Sequence, residues 1–353
     1  MRNSRAIASR LKHRARAVVT NGPVPWLFRY FMKGAVPVFM LHRFEDRALG
    51  VVGHSQELVR RHLGWLREHG FRFLSLADLV RELTESPDEI GRAVAITVDD
   101  GYAGFARFGQ PILAEFDVPA TVFLTTGFID RTMWFWWDRI DFALKHNTRR
   151  RCDLTIAQLS MTLTWADEES RVRVRGNIVE HLKLLLEEDR LAALEQITSQ
   201  SSVEVPHGAP PSYAPLSWDN VRSLAQKGIT FGPHTVTHPI LSRVSDAQSA
   251  MEIRESWRRL KDETTAAVPI FCYPNGREVD FTAREMDILK REGFTAAFTA
   301  TAGYAEARDF SVVDSVSRYR VRRYPFPDRH EDLVQIASGI ERAKDYVRNW
   351  NWR

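Results

Sequence analysis

An acidic pair stands at the end of one apolar run. Asp99 and Asp100 follow Ala93–Val98, and Gly101 comes next. In α/β folds catalytic groups collect at the carboxyl ends of strands, so this position favours chemistry over a turn or helix cap, which remains the alternative. Two adjacent carboxylates can divide the work of a metal-dependent hydrolase. One binds the ion, and the other stays free as a base.

Two histidines follow another apolar run in the same way. His234 and His238 come after Ile229–Gly232, four residues apart and flanked by Pro233 and Pro239. At this spacing two imidazoles face one metal ion if the segment turns helical. The alternative is a pair of polar loop histidines, since the spacing alone is a weak signal. Combined with the acidic pair, the histidines predict a metal site.

Two more apolar runs end in groups suited to catalysis. His42 follows Val38–Leu41 and predicts a general acid, with a satisfied core histidine as the alternative. The segment 271–276, Phe-Cys-Tyr-Pro-Asn-Gly, ends in a tight turn. Such a turn can present a backbone N–H to a developing oxyanion, although Asn-Gly is also an ordinary turn sequence.

Short apolar runs alternate with amphipathic segments from residue 36 onward. Several runs are apolar at successive positions, as in parallel strands buried on both faces. The alternation predicts a parallel α/β sheet, open or closed into a barrel. The predicted strands are Val36–Leu41, Phe71–Leu74, Val94–Val98, Ala120–Thr125, Ile229–Gly232, Val268–Tyr273 and Thr295–Thr299. The predicted helices are Gln56–His69, Ser75–Thr84, Phe105–Phe116, Trp218–Lys227, Ser245–Thr264 and Phe281–Glu292.

The alternation breaks between about residues 130 and 210. An aromatic cluster at 134–137 opens this region, charged helical sequence follows around 167–195, and Pro-rich sequence closes it at 206–215. We predict a helical insertion in a βα loop. Three units result: a basic N-terminal tail over 1–33, the main domain over 34–325, and a C-terminal helix over 326–353.

The net charge of +4 is concentrated at the amino terminus. Residues 1–33 hold eight Lys/Arg and no acid, so residues 34–353 are mildly acidic and no nucleic-acid partner is expected. Residues 7–19 are apolar on one side and basic on the other. This pattern predicts either a solvated leader or peripheral contact with an anionic membrane. No secretory signal or transmembrane stretch is evident. Two cysteines fit a reducing compartment, so we expect a cytoplasmic protein, with a peripheral site at the inner membrane left open.

These segments together resemble the NodB-homology polysaccharide deacetylases, carbohydrate esterase family four. Residues 97–101, T-V-D-D-G, are similar to the family's T-F-D-D-G motif, and residues 234–238, H-T-V-T-H, to its H-[ST]-x-x-H motif. Residues 271–276 are similar to its third motif, F-R-P-P-Y-G or F-A-Y-P-Y-G. Residues 41–44, L-H-R-F, resemble the Y-H-R segment of the permuted, exopolysaccharide-modifying branch. The resemblance covers roughly residues 36–325.

The resemblance implies a fold and a metal site. The fold would be α/β, a distorted (β/α) barrel of the polysaccharide deacetylase type with a helical insertion. One divalent ion would be held by Asp100, His234 and His238. Zn²⁺ is the first expectation, with Co²⁺ or Ni²⁺ as substitutes.

The resemblance also implies catalytic roles. Asp99 would be the base, His42 would protonate the leaving amine, and the backbone N–H of Asn275 would face the oxyanion. The reaction would remove N-acetyl groups from a chitooligosaccharide-like, lipid-linked or exopolysaccharide substrate and release acetate. Three other interpretations stay open: an amidase acting on a small cyclic or linear amide, a weakened carbohydrate-binding relative, and a regulatory or membrane-tethering protein.

Two positions depart from the family's third motif. Cys272 stands where many members have the arginine that orients the catalytic aspartate, and Asn275 replaces a tyrosine. The candidates to replace the arginine from another strand are Arg318, Arg320 and Arg322.

Four aromatic residues are candidates for contact with the sugar. Trp136 and Trp137 are candidates to stack on a sugar face, with core packing at the root of the insertion as the alternative. Tyr102 and Tyr273 lie in or beside the first and third motifs.

Overall fold

The computed structural model describes residues 24–156, 159–311 and 315–350. The amphipathic pattern of residues 7–19 lies outside these ranges. The strands are β1 (Ala35–Val36), β2 (Val38–Leu41), β3 (Arg72–Leu74), β4 (Ala93–Val98), β5 (Ala120–Leu124), β6 (Arg151–Ile156), β7 (Leu159–Thr164), β8 (Ile229–Pro233), β9 (Ile270–Cys272), β10 (Ala296–Phe298), β11 (Ala305–Glu306) and β12 (Tyr324–Pro325).

Helices alternate with these strands. The α-helices are α1 (Gln56–Glu68), α2 (Leu76–Glu85), α3 (Gln110–Glu115), α4 (Thr126–Ile129), α5 (Trp136–Lys145), α6 (Glu168–Leu182), α7 (Glu187–Ser199), α8 (Trp218–Ala225), α9 (Asp246–Glu263), α10 (Ala283–Arg291), α11 (Ala307–Phe310), α12 (His330–Ser338) and α13 (Ile340–Trp350). Other helical segments, of the 3₁₀ or π type, are Val24–Met32, Phe105–Gly109, Pro211–Tyr213, Leu241–Arg243 and Val316–Tyr319. Several α-helices begin after a Ser, Thr or Asp residue whose side-chain oxygen accepts a hydrogen bond from a free N–H group of the first turn. Examples are Ser55 before α1 and Ser245 before α9.

A parallel sheet forms the centre of the molecule. Its strand order is β12-β2-β4-β5-β8, with β3 also paired to β4, and β9 and β10 form a second parallel pair. Single parallel bridges, Phe231–Ala267 and Phe298–Val321, link the two. At these two places the hydrogen bonding between neighbouring strands of the distorted barrel is reduced to a single bridge. The predicted α/β class with a parallel sheet is confirmed.

Burial holds the sheet together. All six residues of β4 and all five of β5 are buried, as successive apolar positions predict. Each fully buried Val, Leu or Ile side chain contributes roughly 1.5–3 kcal/mol relative to an exposed one.

The register of the central strands aligns the ends that carry the polar motifs. Leu41 of β2 pairs with Val98 of β4, and the Asp99 N–H donates to the Leu41 carbonyl at 2.9 Å. On the other side of β4, the His234 N–H donates to the Leu124 carbonyl of β5 at 2.9 Å. Parallel strands in this register bring their following residues to one edge of the sheet.

The insertion contains a feature that the sequence analysis did not anticipate. Between helices α5 and α6 the chain forms an antiparallel hairpin of β6 and β7. Cys152, Leu154 and Ile156 alternate with exposed residues in β6 and pack with α5 to α7 in a separate apolar cluster. A short alternating pattern inside charged sequence is a weak signal, which is why a purely helical insertion was expected.

The C-terminal region folds as two helices where one was expected. Gly339 separates α12 from α13 with a left-handed φ of 89°. Glycine adopts this conformation without steric cost and ends the first helix. The division of the chain into three units stays a prediction. Among the described residues, no helix combines the length and hydropathy that crossing a bilayer requires.

Candidate active site

The acidic pair sits in a sharp turn at the end of β4. Asp100 has a left-handed φ of 75° and Gly101 one of 91°. A Cβ on Gly101 would meet side-chain atoms of Leu124 and Ile129 at 2.8 Å, so the turn requires glycine. The strained turn sends the two carboxylates in different directions, since Asp100 faces the histidines and Asp99 faces an arginine.

Asp100, His234 and His238 form a buried cluster. The Asp100 Oδ1 atom lies 3.7 Å from His234 Nε2 and 3.6 Å from His238 Nε2. One donor atom from each residue lies within 4.8 Å of the others. His234 Nδ1 donates to the Cys272 carbonyl at 2.7 Å, which turns Nε2 toward the cluster.

The electrostatics of the cluster fit a divalent cation. Burial lowers the pKa of His234 to about 4 and lowers the pKa of His238 as well, so both imidazoles are neutral ligands near neutral pH. Burial, then the neighbouring Asp99 charge, raises the pKa of Asp100, a repulsion that a bound cation relieves. Two neutral imidazoles and one carboxylate are a donor set that suits Zn²⁺.

The segment between the histidines is not helical, contrary to the condition set by the sequence analysis. Thr235 and His238 instead have left-handed φ values of 66° and 60°. Buried Glu252 of α9 accepts hydrogen bonds from the Val236 and Thr237 N–H groups at 2.7 and 2.9 Å. This carboxylate holds the strained loop in the shape that brings both rings to Asp100. Sequence analysis did not identify Glu252, since its only local signal is a buried acid within an amphipathic helix.

Arg323 supplies the guanidinium missing from the third motif. Its NH1 and NH2 groups donate to Asp99 Oδ1 and Oδ2, both at 2.8 Å, and both side chains are buried. The three candidates from the sequence were wrong. Arg320 pairs with Glu278, and Arg322 lies 3.8 Å from Glu306. Among the described ion pairs of Asp99, the arginine is Arg323 and not Arg318.

Strand parity explains the misassignment. In extended backbone alternate side chains point to opposite faces. Val321 and Arg323 are buried, whereas Arg320 is exposed and Arg322 only partly buried. The alternating positions of Val321 and Arg323 could have indicated a shared face. The sequence alone does not say whether that face points into the barrel.

The Arg323 side chain is fixed on every side. It donates to Thr97 Oγ1 and to the Thr299 carbonyl at 2.9 Å each, and NH2 lies 3.0 Å from Cys272 Sγ. The small Cys272 side chain leaves room for this guanidinium. Burial alone would raise the pKa of Asp99, but Arg323 outweighs it and holds that pKa well below its ordinary value. Asp99 is therefore an ionised carboxylate with fixed geometry.

His42 borders the Asp99 carboxylate, and Asn275 lies in the turn that follows β9. His42 Nε2 lies 3.8 Å from Asp99 Oδ2, and the His42 side chain is 45% exposed. The partial burial of the ring lowers the pKa of His42, and the Asp99 charge opposes that shift. Asn275 has a left-handed φ of 56° in the turn after β9.

The aromatic candidates occupy different environments. Tyr273 is buried, stacked on Phe281 at 4.0 Å, and its hydroxyl donates to a backbone carbonyl. Trp136 is buried in the insertion core, and the Tyr102 hydroxyl donates to Asp138 Oδ2 at 2.6 Å. These contacts favour packing roles for Tyr273 and Trp136.

Trp137 differs from the other three aromatic residues. It is partly exposed, stacks on Phe135 at 4.4 Å, and lies edge-on to His238 at 4.8 Å between ring centroids. Trp137 is thus the tryptophan of this cluster that directly contacts one of the candidate metal ligands, His238. Substrate contact by any of the four stays a prediction.

Comparison with known proteins agrees with this arrangement. The polysaccharide deacetylase family matches residues 86–297, more than half of the chain. The chain therefore belongs to the polysaccharide deacetylase family, which confirms the resemblance. It is also 26% identical over 93 residues to the putative polysaccharide deacetylase YxkH of Bacillus subtilis. That match covers 25% of this chain and 31% of the relative.

Solved structures share the fold. The Streptococcus pyogenes deacetylase PplD, solved in complex with acetate, superposes with a TM-score of 0.54 and 18% identity, covering 86% of this chain and 98% of that one. IcaB from Ammonifex degensii gives a TM-score of 0.52 and 16% identity, covering 87% and 97%. At these identities the likeness establishes the fold alone.

Proposed function

We propose that this chain is a metal-dependent polysaccharide N-deacetylase that removes N-acetyl groups from an N-acetylated sugar and releases acetate. Family membership supports deacetylation of a polysaccharide. The observation that carries the proposal is the division of labour within the acidic pair. Asp100 faces two neutral imidazoles, whereas both carboxylate oxygens of Asp99 pair with Arg323.

Asp100, His234 and His238 are the residues that would hold the cation. When bound there, a divalent cation, Zn²⁺ first among the candidates, supplies Lewis-acid polarisation of the acetyl carbonyl and lowers the pKa of a water. The sugar substrate is chitooligosaccharide-like, lipid-linked or an exopolysaccharide.

Asp99 takes the proton of the attacking water. Arg323 keeps this carboxylate ionised and prevents its rotation, so its free lone pairs are directed into the site. The Asn275 backbone N–H donates to the oxyanion that develops on the acetyl carbonyl. His42, within 3.8 Å of Asp99, protonates the departing amine. Its exposed edge gives it access to the leaving group.

The intact arginine–aspartate pair argues against the interpretation of a weakened binding relative. A protein that only binds sugar has no use for a buried, oriented carboxylate beside a metal cluster. The missing arginine at Cys272 was the reason to consider this interpretation, and Arg323 removes that reason.

Release of acetate from N-acetylglucosamine oligomers tests the proposal. The full chain is treated with a chelator, dialysed, and assayed alone and after addition of Zn²⁺, Co²⁺ or Ni²⁺. We expect metal-restored release in the parent chain, and a loss of roughly 10²–10⁴-fold in Asp99→Asn with metal binding retained. Asp100→Asn should lose both metal binding and activity. Asp262→Asn, on the exposed face of α9, is the matched control and should behave as the parent.

Two results would contradict the proposal. One is acetate release that chelation does not diminish. The other is metal-dependent hydrolysis of small cyclic or linear amides with no release from any N-acetylated sugar, which would establish the amidase interpretation.

A cytoplasmic location at the inner membrane completes the proposal. Both cysteines, Cys152 and Cys272, are free and buried, which fits a reducing compartment. The basic residues of the first 33 positions support peripheral contact with an anionic membrane.

A further inference from the structure

The face at the amino ends of the strands lies opposite the catalytic residues. Arg92 directly precedes β4 and Asp99 directly follows it. At 3.2–3.4 Å per strand residue, these positions are roughly 20 Å apart. A feature beside Arg92 therefore lies outside the site that hydrolyses the amide.

This opposite face carries a cavity of about 1170 Å³. It lies between the end of the Val24–Met32 segment, the start of α11 and the last turns of α13. A smaller cavity of about 240 Å³ adjoins it, shares Lys33, Gly34 and Asp88, and reaches Arg92. The two cavities form a continuous hollow, which we call the basal cavity.

Cations outnumber acids around the larger part of the basal cavity. Three arginines converge on one buried carboxylate, Glu306: Arg308 Nε pairs with it closely, Arg342 Nε lies at 3.2 Å, and Arg322 NH2 lies at 3.8 Å. One carboxylate neutralises one guanidinium, and the Asp309 carboxylate also interacts with Arg308 and Arg322, so this group holds an excess of one positive charge. Asp309 lies behind Glu306, accepting its N–H, and does not line the cavity.

The remaining charges of the lining cancel in pairs. Lys33 lies 3.3 Å from Asp88, and Arg348 lies 3.4 Å from Asp345. The excess charge therefore stays with the arginines around Glu306. Arg308 is largely exposed, so its guanidinium can turn toward an anion at the cavity mouth.

Large apolar side chains project beside this charged cavity. Leu27 is 76% exposed and Tyr30 is 80% exposed on the Val24–Met32 segment. Tyr346 and Val347 of α13 are 65% and 62% exposed. The Tyr346 ring contacts Phe31 at 6.2 Å between centroids, which joins both elements into one surface. A group of cations bordered by exposed aromatic and aliphatic side chains suits an interface between water and lipid.

We propose that the basal cavity docks on an anionic membrane and binds the phosphate group of a phospholipid. Arginine forks recognise phosphate oxygens, while the exposed apolar side chains enter the boundary of the acyl chains. A site for free phosphate would need the arginines but not the apolar rim. The first 23 residues add six Lys/Arg and no acid immediately before this surface, which matches the negative charge of such a membrane. In the docked protein the catalytic residues face away from the bilayer.

Vesicle co-sedimentation of the full chain tests the proposal. The vesicles are phosphatidylcholine alone, or equal parts phosphatidylcholine and phosphatidylglycerol. We expect binding to the anionic vesicles only. The double variant Arg308→Gln/Arg322→Gln should weaken it by roughly fivefold for each charge removed. The double variant Leu27→Ser/Tyr346→Ser should weaken it while retaining every charge.

Controls separate the cavity from general positive charge. Arg173→Gln/Arg258→Gln removes two exposed cations elsewhere, on α6 and α9, and should change binding much less than the cavity variant. Acetate release should match the parent chain in every variant, because none of the substituted residues contacts the catalytic cluster. A folded cavity variant is expected because Arg342 still pairs with Glu306, and its thermal unfolding transition should remain cooperative.

Three results would overturn the proposal. The first is a loss of vesicle binding that does not depend on the cavity. An equal loss in the cavity and control variants would assign binding to total charge, and a loss only in Arg10→Gln/Arg14→Gln would assign it to the basic tail. The second is no preference for anionic vesicles. The third is thermal stabilisation by inorganic phosphate that Arg308→Gln/Arg322→Gln abolishes, without vesicle binding, which would make the cavity a site for a free anion.

Discussion

Arg323 and Asp99 form a buried, two-pronged ion pair across 224 residues of sequence, with both nitrogen–oxygen distances at 2.8 Å. In related sequences that resemble this chain, the arginine belongs to the third motif. Here it comes from the segment before β12, and Cys272 stands at the motif position. Arg323 therefore makes the contact with the aspartate that the resemblance assigns to the arginine of the third motif.

We predict that Arg323→Ala lowers both stability and activity. An unpaired buried carboxylate costs about 3–5 kcal/mol, so the free energy of unfolding in urea should fall by that order. Without the guanidinium the pKa of Asp99 rises, and a base must be unprotonated to act. The acid limb of the kcat/KM profile should therefore move to higher pH. Arg323→Lys keeps the positive charge but loses the two-pronged geometry, so its stability and activity should lie between those of the parent chain and Arg323→Ala. An unmoved acid limb in Arg323→Ala would contradict the assignment.

An arginine restored at the motif position should rescue this loss. Because Cys272 Sγ is 3.0 Å from Arg323 NH2, a guanidinium from position 272 can reach the space that Arg323 occupies. We expect Cys272→Arg/Arg323→Ala to recover at least part of the acetate release lost in Arg323→Ala. Cys272→Arg alone should be destabilised, since two guanidinium groups would compete for one carboxylate. A double variant no more active than Arg323→Ala would show that the two positions are not equivalent.

Glu252 should control metal affinity without contacting the metal. Its carboxylate holds the N–H groups of Val236 and Thr237, and Glu252→Gln replaces one acceptor oxygen by a donor. We expect about 10- to 100-fold weaker binding of Zn²⁺, measured by calorimetry. Glu255→Gln, on the exposed side of the same helix, is the matched control and should bind as the parent does. Equal affinities in the two variants would exclude this supporting role.

His62 should make the metal-free protein sensitive to acid. Its buried ring has no hydrogen-bond partner at either nitrogen, and burial, followed by the charge of His330, lowers its pKa to about 4 from 6.5. Between these two pH values His62 is protonated in the unfolded chain but neutral in the folded chain. Stability is therefore full above about pH 6.5 and is lost as the pH falls toward about 4.

Urea unfolding with a chelator present measures this effect. The free energy of unfolding should fall by at most about 3 kcal/mol over that range because of His62. His62→Leu should remove this part of the decline, whereas substitution of exposed His207 by Leu should leave it unchanged. Identical pH slopes in the parent and His62→Leu would refute the prediction.

The adjacent tryptophans should separate into substrate and packing roles. Trp137→Ala removes a partly exposed ring beside His238, and we expect KM for sugar oligomers to rise roughly 3- to 10-fold with little change in stability. Trp136→Ala opens a cavity in the insertion core and should cost about 3–5 kcal/mol of stability. An equal loss of stability in both variants, with KM unchanged in Trp137→Ala, would show that Trp137 does not contact the sugar.

The local parts of the fold could be read from the sequence. Every predicted strand coincides with an observed one within a few residues, because an apolar run that ends in polar residues is a local pattern. The short strands β11 and β12, of two residues each, were missed. They are strands only because partners lie beside them, β1 and β2 respectively.

Sequence alone therefore predicted the candidate catalytic and metal-binding residues near each strand end. Asp99-Asp100, the two histidines and His42 are marked by their neighbours in the chain. Tertiary structure decided which distant groups support them. Arg323 reaches Asp99 through strand parity and register, and Glu252 reaches the histidine loop through packing of α9. Such contacts depend on distances across the fold, and residues far apart in the chain leave no local pattern that reveals them.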